Sequence, residues 1–297
     1  MANVMDAGRV FGHVRDAGTP WQEVVTLARV DSTNAAVCRD PRPWVAVAAE
    51  EQTAGRGRLG RSWATPPGQA LAVSALLPPV PQPTWLPLLT GLAVRDAVAE
   101  VAGLEVVLKW PNDVLVPAAA AAGTLAGEAG TLNRAEGTLA GEAGTLEAAG
   151  GKLAGILCEL VPQGVVVGIG LNVGQARQHL PVPTATSLAL AGATDVDREA
   201  LLGRLLVNLA AVHADLSQAG QGEPRLAAAY RRACSTIGQE VLVHLPGGAR
   251  QALVVTDVDR YGRLSGRDHA GRPVVLSAGD VVHVRPAVPA PERRGSL

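Results

Sequence analysis

Short apolar runs rich in Val, Ala and Leu recur along the first 235 residues, and they constrain the fold more than any other feature. Residues 44–49 (WVAVAA) and 70–77 (ALAVSALL) read as buried strands, and strand-like runs return at 104–109, 153–160 and 164–171. Between them, residues 84–102 place Leu88, Leu89, Leu92, Val94, Val98 and Val101 at helical spacing and stop at Gly103. Residues 197–219 form an amphipathic helical pattern, and Pro224 sits where a further helix begins. This loose alternation predicts an α+β fold, a mixed β-sheet flanked by helices.

The pattern changes near Thr236. Short Val-rich runs (EVLVHL, ALVVTDV, RPVVLS, VVHVR) then alternate with turn signals (PGG, DRYG, HAG, AGD). A turn roughly every ten residues suits a small all-β barrel. The expected division is a main domain over 1–235, a barrel over 236–286 and a disordered tail over 287–297. Residues 117–150 interrupt the main domain. The decamer GTLAGEAGTL occurs there twice, at 123–132 and 137–146, in a stretch of Ala, Gly, Thr, Leu and Glu. Two copies are too few for a solenoid, so the segment reads as an inserted flexible loop, with a short Ala-rich helix pair as the alternative.

Composition excludes several classes. A net charge of −1 gives no global drive toward nucleic acid or an anionic membrane. Cys38, Cys158 and Cys234 lie far apart with no zinc spacing, and so read as free thiols in a reducing compartment. The N-terminus lacks the pattern of a signal peptide, and no apolar run was expected to reach the length of a membrane span. The expected location is the cytoplasm. Aromatic residues make up 3%, so packing must rest on Leu, Val and Ala.

Four motifs carry chemistry. GRGRLGR at 55–61 matches the dinucleotide fingerprint by letter, yet no helix follows and no acidic residue appears until Asp96. Three guanidiniums and three glycines in seven residues instead suit a loop closing over a phosphate-bearing ligand. In KWPND at 109–113, Pro111 makes a turn at a strand end and presents Asn112 and Asp113 side by side. An ordinary Pro-Asn-Asp turn is the bland alternative; a carboxylate near a triphosphate commonly holds Mg²⁺. Lys152 in GGKLAGIL (150–157) stands at the mouth of a strand, and Asn172 ends the Gly-rich GIGLN strand (168–172). DSTN at 31–34 reads as a helix N-cap whose hydroxyls are also suited to a polar ligand head.

The order DSTN, EEQTAGRGRLGRSW (50–63), LKWPND, GGKLAGIL, GIGLNV and a small β tail resembles the biotin–protein ligases over residues 30–286. The resemblance implies a class II aminoacyl-tRNA synthetase-like sheet followed by a Src-homology-3-like barrel. It implies that biotin and ATP react to biotinyl-5′-AMP, and that biotin then passes to a lysine of a carboxylase biotin carrier domain. It assigns Ser32, Thr33, Asn34, Gln52, Gly55, Arg56, Gly57, Arg58, Gly155 and Gly168 to biotin. Arg58, Arg61, Trp63, Asn112, Asp113 and Asn172 go to ATP or the adenylate, with Asp113 toward Mg²⁺. Lys152 serves both substrates, and Lys152, Arg58 and Asp113 are the expected catalytic residues.

Two positions depart from the family pattern. Many members carry Arg where this chain has Leu59, and the 117–150 insertion separates two motifs that lie closer together in close relatives. The stretch before DSTN is too short for the DNA-binding domain some members carry, so no nucleic-acid or membrane partner is expected, and a homodimer through a sheet edge remains open. A lipoate or octanoate ligase on the same fold is the nearest rival. A nucleic-acid-binding regulator using the Arg loop is the rival of a different class.

Overall fold

The computed structural model describes residues 4–63, 65–117, 151–180, 182–218, 222–245, 247–277 and 279–283. Nearly all of the 117–150 insertion and the whole 287–297 tail lie outside the described residues. In chain order the elements are α1 (Ala7–Asp16), β1 (Glu23–Val30), α2 (Thr33–Arg39), β2 (Val45–Gln52), β3 (Ala70–Leu77), α3 (Leu86–Ala102), β4 (Val107–Lys109), β5 (Asp113–Leu115), β6 (Lys152–Val161) and β7 (Gly164–Asn172). Then follow α4 (Arg198–Ser217), α5 (Gly222–Ala233), β8 (Glu240–His244), β9 (Arg250–Val258), β10 (Leu264–Arg267), β11 (Pro273–Leu276) and β12 (Asp280–His283).

Strands β1 to β7 form one mixed sheet in the order β1-β2-β3-β7-β6-β5-β4, with β1 and β2 parallel and the other neighbours antiparallel. Alternation decides what each face does. On one face Ala46, Ala48, Leu71, Val73, Ala75, Leu77, Val167, Ile169 and Leu171 join the main core with the buried Leu and Val of α1, α3 and α4. The other face carries a small apolar cluster of Val47, Leu76 and Val166 beneath Val37 of α2. Further along that same face the side chains shrink. Ser74 is paired with Gly168, Ala72 with Gly170, and Gly155 with Gly170. Small residues there leave a hollow in a surface that is elsewhere filled.

The helix boundaries follow from local chemistry. Gly103 adopts φ 64° and its N–H bonds the Ala99 carbonyl, ending α3 where the sequence reading stopped it. Asp197 caps α4 by accepting from the Glu199 and Ala200 N–H groups. One sequence expectation is corrected here. Helix α4 is long and apolar enough to cross a membrane, with 20 residues and a mean hydropathy of 1.2, although 56% of that stretch is buried inside the fold. Its apolarity serves the core on several sides at once, against α1, α3 and the sheet. The strand expected at 104–109 is confined to Val107–Lys109, and Trp44, at φ 61°, stands outside β2. All three cysteines are unpaired.

Strands β8 to β12 make a second, antiparallel sheet in the order β11-β10-β9-β8-β12, consistent with a Src-homology-3-like barrel. Two buried tryptophans tie it to the main sheet. Trp85 Nε1 donates to the Arg260 carbonyl at 2.8 Å, and Trp110 Nε1 donates to the Gly262 carbonyl at 3.0 Å. Buried indole N–H groups need such partners, so the β9–β10 turn is fixed beside the KWPND turn.

Candidate active site

The hollow on the α2 face opens into a cavity of about 290 Å³. The four sequence motifs meet in it. Of the residues singled out from the sequence, Ser32, Thr33, Asn34, Gln52, Arg56, Gly57, Arg58, Arg61, Trp63, Asn112, Asp113, Lys152, Gly155, Gly168 and Asn172 all line it. Gly55 does not. It lies behind the loop, where its carbonyl accepts the Trp63 N–H at 2.9 Å and an added Cβ would sit 2.4 Å from the Trp63 carbonyl oxygen. It acts through close backbone approach.

One end of the cavity is a buried polar array. Ser32 caps α2, and its neighbours Thr33 and Asn34 are equally buried. Gln52 Oε1 accepts from the Thr33 N–H at 2.9 Å and from its hydroxyl at 3.1 Å, while Gln52 Nε2 donates to Thr65 Oγ1. Asp31 supports the motif from outside. Arg39 and the Ser32 N–H bond its carboxylate, which holds its pKa well below the usual range.

The floor is an aromatic ring on glycine. Trp63 lies across paired Gly155 and Gly170, and a Cβ on Gly170 would meet indole atoms at 2.3 to 2.7 Å. Lys152 Nζ lies 5.8 Å from the ring centroid. Lys152 opens β6 and Asp113 opens β5, on neighbouring strands, and Nζ lies 2.6 Å from Asp113 Oδ1. The segment 184–186 runs beside the lysine: Lys152 N–H donates to the Thr184 carbonyl, and Thr186 N–H donates to the Lys152 carbonyl.

The arginine loop joins three parts of the chain. Gly57 N–H donates to the Arg61 carbonyl at 2.7 Å, closing the loop. Arg58 Nη1 donates to Asn112 Oδ1 at 3.2 Å and to the Gly279 carbonyl at 3.3 Å. Asn112 Nδ2 in turn donates to the Ile156 carbonyl. Asn172 is buried, with Nδ2 donating to Thr186 and Oδ1 accepting from Gln175, so its amide first of all holds the 184–186 segment.

Sequence reading missed Ser74, Glu159, Gly170, the 182–185 segment and Val281 of the second sheet. Ser74 and Gly170 carried a usable signal, a lone hydroxyl in ALAVSALL and the second glycine of GIGLN. Val281 and 182–185 reach the cavity only through tertiary packing.

Among the described residues no three His, Cys, Asp or Glu side chains cluster as a metal cage. Among the described residues that line the cavity, Asp113 alone offers a carboxylate. That suits Mg²⁺, which is usually held by one or two carboxylates plus substrate phosphates and water.

A mixed sheet bearing an arginine loop, a Lys–Asp pair and a polar-ended cavity, with a small β-sheet behind it, has the fold of the biotin protein ligases. The Aquifex aeolicus biotin protein ligase in complex with biotin and ATP superposes with a TM-score of 0.70 at 24% identity, covering 90% of this chain and all of that one. The model of the biotin/lipoate A/B protein ligase family matches residues 27–175, and the chain belongs to that family. It is 40% identical to the biotin–[acetyl-CoA-carboxylase] ligase of Mycobacterium tuberculosis over 91% of this chain and 92% of that protein. It is 32% identical to the ligase of the same description from Paracoccus denitrificans, over 85% and 97% respectively.

Proposed function

We propose that this chain is an ATP-dependent biotin–protein ligase that modifies a lysine of a carboxylase biotin carrier domain in the cytoplasm. The observation that carries the reading is the convergence of the polar array, the Trp63 platform and the Lys152–Asp113 pair in one cavity. In the first step a carboxylate oxygen of biotin attacks the α-phosphorus of ATP, and the bond to pyrophosphate breaks. In the second, the neutral amine of the acceptor lysine attacks the carbonyl carbon of the mixed anhydride, and AMP leaves.

The residues divide this work. Thr33, Asn34 and Gln52 hold the head of biotin, and the small residues Gly155 and Gly168 leave room for its chain. Trp63 gives the adenine a π face. Lys152 stands where the carboxylate and α-phosphate meet, and its ammonium stabilises negative charge that develops on their oxygens in both steps. Arg56, Arg58 and Arg61 close over the phosphates, exclude water and protect a hydrolysable anhydride. Mg²⁺, when bound with ATP, neutralises phosphate charge, and Asp113 is the residue to hold it.

Intact-mass analysis of a biotin carrier domain incubated with this protein, biotin, ATP and Mg²⁺ tests the reading, and a mass gain of one biotin is expected. A gain only with lipoate or octanoate in place of biotin would favour the other branch of the family.

A further inference from the structure

Strand β3 is buried at all eight positions and carries a single polar side chain, Ser74, which is 0% exposed. A hydroxyl in such a place is costly unless it is bonded. Both of its side-chain contacts are on the cavity wall: Ser74 Oγ lies 2.7 Å from Thr33 Oγ1 and 2.6 Å from Asn34 Oδ1. Opposite it, Glu159 Oε2 accepts from Asn34 Nδ2 at 2.6 Å, with the Leu157 carbonyl a longer partner at 3.4 Å. The Asn34 amide is therefore clamped at both ends. A flipped amide would set its oxygen against the Glu159 carboxylate, so the charge fixes which end faces which way. Gly168 completes the clamp, because a Cβ there would lie 1.9 Å from Asn34 Oδ1.

We propose that Ser74 and Glu159 are positioning residues that act through Thr33 and Asn34 to select a cyclic urea as the head group bound at this end of the cavity. The inference rests on the biotin reading above. A cyclic urea offers two N–H donors and a carbonyl acceptor to an array whose own donors and acceptors are fixed in direction. A dithiolane or hydrocarbon head offers none of these groups, and a site built to hydrogen-bond its ligand discriminates against an analogue that lacks the partners.

Biotin and lipoate affinities are measured by calorimetry on the wild type, Ser74→Ala and Glu159→Ala, beside steady-state kinetics and thermal unfolding. Ser74→Ala is expected to weaken biotin binding and raise its KM by about tenfold or more. The ATP KM, and kcat at saturating biotin, should stay within about twofold, and lipoate binding should change little. Glu159→Ala, whose side chain is only partly buried, should show the same split. In an Asn34→Ala background the Ser74→Ala change should cost less than it does alone. Unchanged biotin affinity in a folded Ser74→Ala variant overturns the inference, and so does an equal loss for biotin and ATP. Wild-type protein that binds no biotin overturns the functional reading together with the inference.

Discussion

Lys152 Nζ lies 2.6 Å from Asp113 Oδ1, and the two side chains keep only 24% and 15% of their exposure. The pair sits at the mouths of adjacent strands, so the ammonium is aimed by the sheet itself. Lys152→Ala is expected to lower kcat for carrier modification by roughly 10²- to 10³-fold with the fold intact. It also leaves the Asp113 carboxylate facing the phosphates without its counter-charge. Without Mg²⁺, the ion that Asp113 would otherwise hold, ATP binding should therefore be weaker in Lys152→Ala than in Lys152→Ala/Asp113→Asn, a ranking that nucleotide titration checks.

Gly170→Ala tests the seat of Trp63. The added methyl would lie within 2.4 Å of the indole nitrogen, so the ring must leave its place. The ATP KM should rise by about tenfold or more, the biotin KM should move less, and unfolding should shift only modestly.

Glu50→Gln tests a buried ion pair whose two residues do not line the cavity. Glu50 Oε2 lies 2.7 Å from Arg198 Nη1 at the start of α4, with side-chain exposures of 3% and 17%, and the carboxylate also accepts the Met5 and Gly68 N–H groups. Leaving Arg198 unmatched should cost about 3 kcal/mol or more. A lowered urea midpoint with kinetic constants little changed is the expected result.

His213 gives the fold an acid-sensitive point. Its Nε2–H donates to the Pro78 carbonyl at 3.1 Å, and its ring packs edge-on to Trp44. Burial lowers its pKa below the ordinary 6.5, against a smaller opposing effect of the Pro78 bond. The folded state then binds fewer protons than the unfolded chain. Stability contributed by the neutral ring is complete above pH 6.5 and is lost as pH falls below it. His213→Gln keeps a donor for Pro78 and should flatten the fall in melting temperature as pH drops below 6.5.

Leu59 is 65% exposed and takes φ 57°, at the tip of the loop. Leu59→Arg adds a cation beside Arg58 and Arg61 and should slow dissociation of the biotinyl adenylate. Equal off-rates for the two proteins would show that the tip residue does not hold the intermediate.

The site was legible because its parts are written as local words. Loop, turn and strand-end residues such as Arg58, Asn112 and Lys152 need particular backbone geometry, and Gly and Pro announce that geometry in the sequence. The strands of the main sheet were equally plain where both faces are buried, as in β3 and β7. Strand β1 escaped notice because its half-exposed pattern of Val, Thr and Arg has no clean period. Strand β10 escaped because Leu264–Arg267 is four residues long and polar at alternate positions. Ser74 and Val281 were invisible as site residues for another reason. Their roles come from sheet register and from the placement of the second sheet, which no local pattern encodes.

The Arg58 guanidinium touches Asn112 of the KWPND turn and the backbone of Gly279, which leads into β12 of the second sheet, at once. Its position is thus a logical conjunction, satisfied only when loop, turn and C-terminal sheet are all in register. A lesion in the small sheet, well away from any substrate, would accordingly be felt as a kinetic defect in the loop, and severing that sheet would remove a bearing on which the loop turns.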